Sequence, residues 1–180
     1  MNITYSKTDA QMQRITRTRV ECFRKMRELS LEDDVEFLYV DEVIFTAGQV
    51  RPKVWYTRGH PLEIEKKRLA FKAIAVVGAT DVEGRLVARI ARDSIITKED
   101  FMDFMEEVSV KSTRGKVTYL FIDNLPMHHM YVIKDKAKYL GLGLVYNGTY
   151  SSEFNPIEIL WANAKRKFST RCIVDAPYQN

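Results

Sequence analysis

The sequence predicts an α/β fold, a mixed five-stranded sheet flanked by helices. Three observations carry that expectation. The 180 residues are 46% hydrophobic, enough for one substantial core in a single domain. The apolar spacing switches along the chain between helical and strand periods, giving helix, three strands, helix, strand, helix, strand, helix. The first three strands follow one another, which suits antiparallel pairing. The last two are each reached through a helix, which favours parallel pairing by right-handed crossovers.

Each element has its own justification. Over residues 9–29, Met12, Ile15, Arg19, Cys22, Phe23, Met26 and Leu29 recur near helical spacing, so this is a basic amphipathic helix. "VEFLYVDEVIF" (35–45) is rich in β-branched and aromatic residues and reads as a buried strand with Asp41 near its middle. "LAFKAIAVVGA" (69–79) and "RLVARIA" (85–91) flank the turn-forming "TDVEG" as a hairpin. In 97–109, a Thr cap and early acids precede Phe101, Phe104, Met105 and Val108 on one helical face. "VTYLFID" (117–123) is a strand running into Asp123. A helix over 129–140, a short strand at "LGLVYN" (142–147) and a helix over 156–168 complete the chain.

Composition narrows the function classes. No apolar run approaches the roughly 20 residues of a membrane helix, and the N-terminus is mixed and charged. Cys22 and Cys172 are far apart without companions at metal-ligand spacing, which points to a reducing interior and an intracellular, soluble protein. The net charge of +4 is unevenly spread: residues 1–30 carry seven Lys/Arg against three Asp/Glu, and 51–72 carry seven against two. Arg51, Lys53, Arg58, Lys66, Lys67 and Arg68, with Trp55 and Tyr56 among them, suit a phosphate backbone, as do Lys165, Arg166 and Lys167 near Trp161. A merely solvated surface is the plain alternative. From Thr46 to Arg68 only the short "KVWY" resembles an element, and irregular stretches of that length are commonly functional. The segment is expected to be a basic arm that contacts DNA or a second catalytic domain.

Three carboxylates stand out, each with a structural explanation beside the chemical one. Asp123-Asn124 ends a strand, where such residues form turns. Glu158 lies three residues after Asn155, with Pro156 at the first helical position, as in a capped helix. Asp41 interrupts an apolar run, and a buried charge is costly unless paired or bound to a cation. The predicted sheet brings all three toward one edge, where sites of parallel strands collect. Carboxylates without Cys or His ligands suit hard ions such as Mg²⁺ or Mn²⁺, and two such ions serve in-line phosphoryl chemistry.

Four stretches together resemble the catalytic domain of the mariner-type DDE transposases, the superfamily that includes Sleeping Beauty. "VDEVIF" is similar to the strand of the first Asp, and "VWYTRGHP" to the Trp-containing segment after it. "YLFIDNLPMHH" resembles the second-Asp motif, and "SSEFNPIEILWANAKRKF" the closing motif around the third acid. The 34 residues between Asp123 and Glu158 match the Asp-Asp-Glu branch. The resemblance covers roughly residues 35–170. It implies a ribonuclease-H-like fold, with Asp41, Asp123 and Glu158 as catalytic metal ligands for two Mg²⁺ or Mn²⁺ ions. It also implies cut-and-paste transposition at TA dinucleotides, DNA as partner, and a homodimer in the DNA complex.

The chain departs from the family pattern in two places. Prolines usual before the closing Asn are replaced by Gly148, Thr149, Ser151 and Ser152. Only about 35 residues precede the first strand, where the family carries helix-turn-helix modules. The expected organisation is an N-terminal helical extension (1–34) and a catalytic domain (35–180) with the basic arm at 46–68. His128 or His129 is expected to touch the scissile region, with His128 counted among the DNA-binding residues, and a surface or helix-capping histidine is the alternative. A domesticated DNA-binding protein and a structure-selective nuclease of ribonuclease H type are the rival functions. The expected location is the nucleus in a eukaryote and the cytoplasm otherwise.

Overall fold

The computed structural model describes residues 9–46, 73–149 and 151–174. The basic arm, with Arg51, Lys53, Trp55, Arg58, Lys66, Lys67 and Arg68, lies outside the described residues apart from Thr46, which closes the first strand. The described chain runs α1 (Asp9–Leu29), β1 (Val35–Thr46), β2 (Ala73–Thr80), β3 (Leu86–Asp93), α2 (Lys98–Lys111), β4 (Val117–Ile122), α3 (Tyr131–Tyr139), β5 (Gly143–Tyr146) and α4 (Ile157–Val174). Among the described residues no helix is long and apolar enough to cross a membrane.

The sheet order is β3-β2-β1-β4-β5. β1 pairs antiparallel with β2, which pairs antiparallel with β3. β4 lies parallel to both β1 and β5. The predicted mixed five-stranded sheet is therefore the observed one. β1 and β4, the strands of the first two acids, occupy its centre.

Side-chain alternation along the strands sorts the core onto two faces. Leu38 and Val40 of β1, with Leu120 and Ile122 of β4, pack with Phe101, Phe104, Met105 and Val108 of α2 and with Ile133 and Ala137 of α3. The start of α2 is locked by a capping box: Thr97 Oγ1 accepts from the Asp100 backbone N–H at 3.2 Å, and Asp100 Oδ2 accepts from that of Thr97 at 3.0 Å. The opposite face carries two separate clusters. Tyr39, Phe121 and Val145 pack with Cys22 and Leu29 of α1, and Val43 packs with Ile157 and Trp161 of α4. The segment read from the sequence as an extension thus lies directly on the sheet. Asp41, between Tyr39 and Val43 in β1, falls between the two clusters.

Candidate active site

The site is built where β4 stops before β1 does. The parallel pairing ends at Tyr39 and Phe121, whereas β1 continues beside β2 through Thr46. Asp41 and Asp123 each stand two residues past that last pair, Asp123 as the first residue beyond β4. The chain after Asp123 is tied down closely. Asn147 donates its N–H to the Ile122 carbonyl at 2.7 Å, and the Asn124 side chain donates to the Asn147 carbonyl. His129 faces Asn124 Oδ1 at 3.2 Å and stacks on Tyr146, ring centres 4.3 Å apart.

The third acid arrives on α4, and Asn155 sets its position. The Asn155 amide donates to the carbonyl of Val40, one residue before Asp41, at 3.0 Å. Its Oδ1 accepts from the Ile157 N–H at 3.4 Å, so the same buried side chain caps the helix and pins its start to β1. Glu158 does not complete a capping box, since the Asn155 N–H goes to the Ser152 carbonyl instead. Its exposed carboxylate has no hydrogen-bond or ion-pair partner among the described residues. The reciprocal capping bond that would account for Glu158 structurally is therefore not made. Asn155→Ala should cost about 1–2 kcal/mol of stability through the lost cap, and more than tenfold in activity through the displaced Glu158. Thermal melting and a cleavage assay on the same preparation check both.

A close approach holds the next turn of α4. Gly78 is the antiparallel partner of Asp41, and a Cβ there would lie 2.8 Å from Cη2 of the Trp161 ring. Only a residue without a side chain lets the indole rest on the strand. Trp161 is buried and sits one helical turn after Glu158, so the contact fixes the height of that acid above β1.

The electrostatics of the three acids differ. Burial, and then the charges of Glu158, Asp123 and Glu42, push the Asp41 carboxyl up to about 7, against an opposing hydrogen bond from the Glu42 N–H. Burial also acts to raise Asp123. It is outweighed by the hydrogen bonds from His128 and from the Leu125 N–H, and by the charges of His128 and His129, so Asp123 lies below the ordinary carboxylate range. His128 Nδ1 stands 2.8 Å from Asp123 Oδ1, and its Nε2 stands 3.2 Å from Glu42 Oε1. Both facing atoms are acceptors, so both ring nitrogens must carry hydrogens. Burial alone would lower His128, but those two bonds raise it to about 9.

His128 therefore does not reach DNA as the sequence reading had it. Only 2% of the residue is exposed, its ring packs 4.5 Å from that of Phe101, and both nitrogens are occupied by acids. Lys165, Arg166 and Lys167 are exposed on α4, with Arg166 donating to Asn163 Oδ1 at 2.9 Å.

The comparisons with known proteins bear on this arrangement. The family model described as DDE superfamily endonuclease matches residues 36–176.

The chain belongs to the DDE endonuclease superfamily.

This DDE domain also shares its fold with solved structures of Mos1 transposase. The Mos1 strand transfer complex matches with a TM-score of 0.66 at 14% identity, over 100% of this chain and 58% of that one. The Mos1 mariner paired end complex with Mn gives 0.64 at 13% identity, over 97% and 58%. The catalytic domain of Mos1 mariner transposase gives 0.58 at 10% identity, over 99% and 78%. The chain thus spans a little over half the length of the first two relatives. No curated protein matches it in sequence.

The donor set of the DDE domain fits a hard divalent cation. All three acids offer carboxylate oxygens, and the crowding that raises Asp41 is the kind of charge accumulation that a cation relieves. Among the described residues no group of three or more His, Cys, Asp or Glu side chains is placed to hold a metal ion, so Asp41, Asp123 and Glu158 do not form a ready metal cage. Mg²⁺ is commonly held by one or two carboxylates together with substrate phosphates, which needs no such cage. Sequence reasoning missed Glu42. The signal was present, because a second acid beside Asp41 in a buried strand must face the other side of the sheet and find a partner there.

Proposed function

We propose that this domain is the catalytic domain of a cut-and-paste DNA transposase. The observation that carries the proposal is that Asp123 and Glu158 both lie close enough to Asp41 to act on its carboxyl. Asp41 in β1 and Asp123 just past β4 each stand two residues beyond the last parallel pair, Glu158 lies on the start of α4, and Asp123 and Glu158 both raise the Asp41 carboxyl. The membership in the DDE endonucleases and the fold shared with Mos1 support it. Asp41, Asp123 and Glu158 would hold two Mg²⁺ or Mn²⁺ ions, which supply Lewis-acid activation of water and neutralise charge at the phosphate. Mos1 is itself known in complexes with Mg and with Mn. Water cleaves a phosphodiester at the transposon end and leaves a 3′-hydroxyl. That hydroxyl then attacks a phosphodiester of target DNA in a transesterification, and a second copy of the chain pairs the two ends.

A strand-transfer assay tests this reading directly. A labelled duplex ending in a free 3′-hydroxyl is incubated with supercoiled plasmid and Mg²⁺ or Mn²⁺. Covalent joining of label to plasmid is expected. Plasmid nicking without joining would reassign the domain as a nuclease, and DNA binding without either would make it a non-cleaving binding protein.

In this reading the exposed Lys165, Arg166 and Lys167, which follow Glu158 along α4, contact the phosphate backbone. Replacing all three with Gln should reduce the slope of log affinity against log salt by about two to three units. Fluorescence anisotropy at several salt concentrations measures it. An unchanged slope would return the three to a solvated surface.

A further inference from the structure

We infer that Glu42 is a positioning residue that acts through His128 to leave Asp123 a single ligating oxygen, Oδ2. The inference rests on the reading of Asp123 as a metal ligand and deepens it. Consecutive residues of a strand face opposite sides of the sheet, so Asp41 turns toward α1 and α4 while Glu42 turns toward α2 and α3. On that side Glu42 Oε1 meets His128 Nε2 at 3.2 Å. The other ring nitrogen meets Asp123 Oδ1 at 2.8 Å and the Asp123 carbonyl at 3.3 Å. His128 is also held by its own backbone, whose carbonyl accepts from the Tyr146 hydroxyl at 2.9 Å. The ring is therefore fixed from both ends and on one face, by Glu42, Asp123 and Phe101.

The consequence falls on Asp123. Its Oδ1 forms the 2.8 Å ion pair with His128 Nδ1 and accepts from the Leu125 N–H at 3.1 Å, so that oxygen is engaged from two sides. Oδ2 has no hydrogen-bond or ion-pair partner among the described residues. A carboxylate pinned through one oxygen presents the other in a fixed direction and binds a cation through one atom. Without Glu42 the imidazole loses its far anchor, and Asp123 can rotate toward two-oxygen binding or away from the site. Partners that orient a ligand in this way are typically worth 10–100-fold in metal affinity or activity.

Glu42→Gln and Glu42→Ala separate the possibilities. The Gln oxygen can still accept from Nε2, whereas Ala cannot. Mn²⁺ titration by calorimetry should show at least tenfold weaker binding for Glu42→Ala and less than threefold for Glu42→Gln. In cleavage, kcat should fall for Glu42→Ala with KM for DNA unchanged, a split that a general loss of folded protein would not produce. In metal-free protein labelled with ¹⁵N-histidine, the protected Nε2–H resonance of His128 should persist in Glu42→Gln and vanish in Glu42→Ala. Glu42→Ala binding Mn²⁺ within twofold of the native chain would overturn the inference. If Glu42→Ala fails to fold, Glu42→Leu, which fills the space without accepting a hydrogen bond, takes its place with the same expected losses. Failure of the metal-site reading looks different: Asp123→Asn would then bind Mn²⁺ as well as the native chain does.

Discussion

Asp41→Asn should abolish DNA cleavage and, in the presence of a chelator, melt at a higher temperature than the native chain. The two effects share one cause. Asp41 is pushed up to about 7 by burial and by Glu158, Asp123 and Glu42, so above that pH the folded domain holds an uncompensated charge. The sign follows from proton binding. Between its ordinary value near 4 and its folded value near 7, the native state binds this proton more tightly than the unfolded state does. Stability from the group is therefore full at low pH and declines as pH rises toward 7, after which the deficit is constant. Asn carries no charge and escapes that loss.

Three pH units correspond to about 4 kcal/mol, and partial solvation of the carboxyl reduces this to about 2 kcal/mol. Mg²⁺ or Mn²⁺ should raise the melting temperature of the native chain chiefly above pH 7 and raise that of the variant little. Losing the proposed metal ligand should lower cleavage at least about 10³-fold, equivalent to about 4 kcal/mol or more in the barrier. DNA affinity should stay nearly unchanged, because the substitution removes no phosphate contact. Melting curves from pH 4 to 9, with chelator and with metal, together with a cleavage assay, check each part. A variant that cuts DNA at the native rate would remove Asp41 from the active site.

Trp161→Ala should be the most damaging substitution on α4, costing about 3–5 kcal/mol of stability. The side chain is buried against Val43 and Ile157 and lies on the bare backbone of Gly78. Its indole N–H has no hydrogen-bond partner among the described residues, so the contribution is one of packing. Trp161→Phe should accordingly retain most of it, losing about 1–2 kcal/mol. The functional loss has a specific form. The ring holds α4 at a fixed height over the strand opposite Asp41, so even the folded fraction of the Ala variant should show a lower kcat at unchanged DNA affinity. Chemical denaturation and single-turnover cleavage on the same samples distinguish the two losses. Equal stability of the Phe and Ala variants would mean that the contact with Gly78 carries no weight.

The order of elements follows from local chemistry and is legible in the residues alone. Helical spacing from Met12 to Leu29 gives α1, and the Thr97–Asp100 pair marks the start of α2. β-branched and aromatic runs mark β1 and β4. The helix before each of the last two strands foretells their parallel pairing. Asp41 was visible as an acid without a local explanation, Asp123 and Glu158 as acids that a turn and a helix cap also explain, and the stretches around them carried the family resemblance. The packing of α1 on the sheet was not visible, because an amphipathic helix declares that it has an apolar face without declaring what covers it.

The same limit applies to the site. Alternation dictates that Asp41 and Glu42 face opposite ways, but only the stacking of α2 and α3 on one side and α1 and α4 on the other gives the two acids different surroundings. From the sequence, His128 is placed against DNA because it lies a few residues after Asp123 in the second-Asp motif. The neighbours that bury it, Phe101 and Glu42, lie 27 and 86 residues away. Asn155 looked like a helix cap, which it is, but its grip on the Val40 carbonyl spans 115 residues. Local sequence determined which groups were present and which element each belonged to. The tertiary structure decided which groups meet, because contacts across a sheet are set by strand order and by the layers above it.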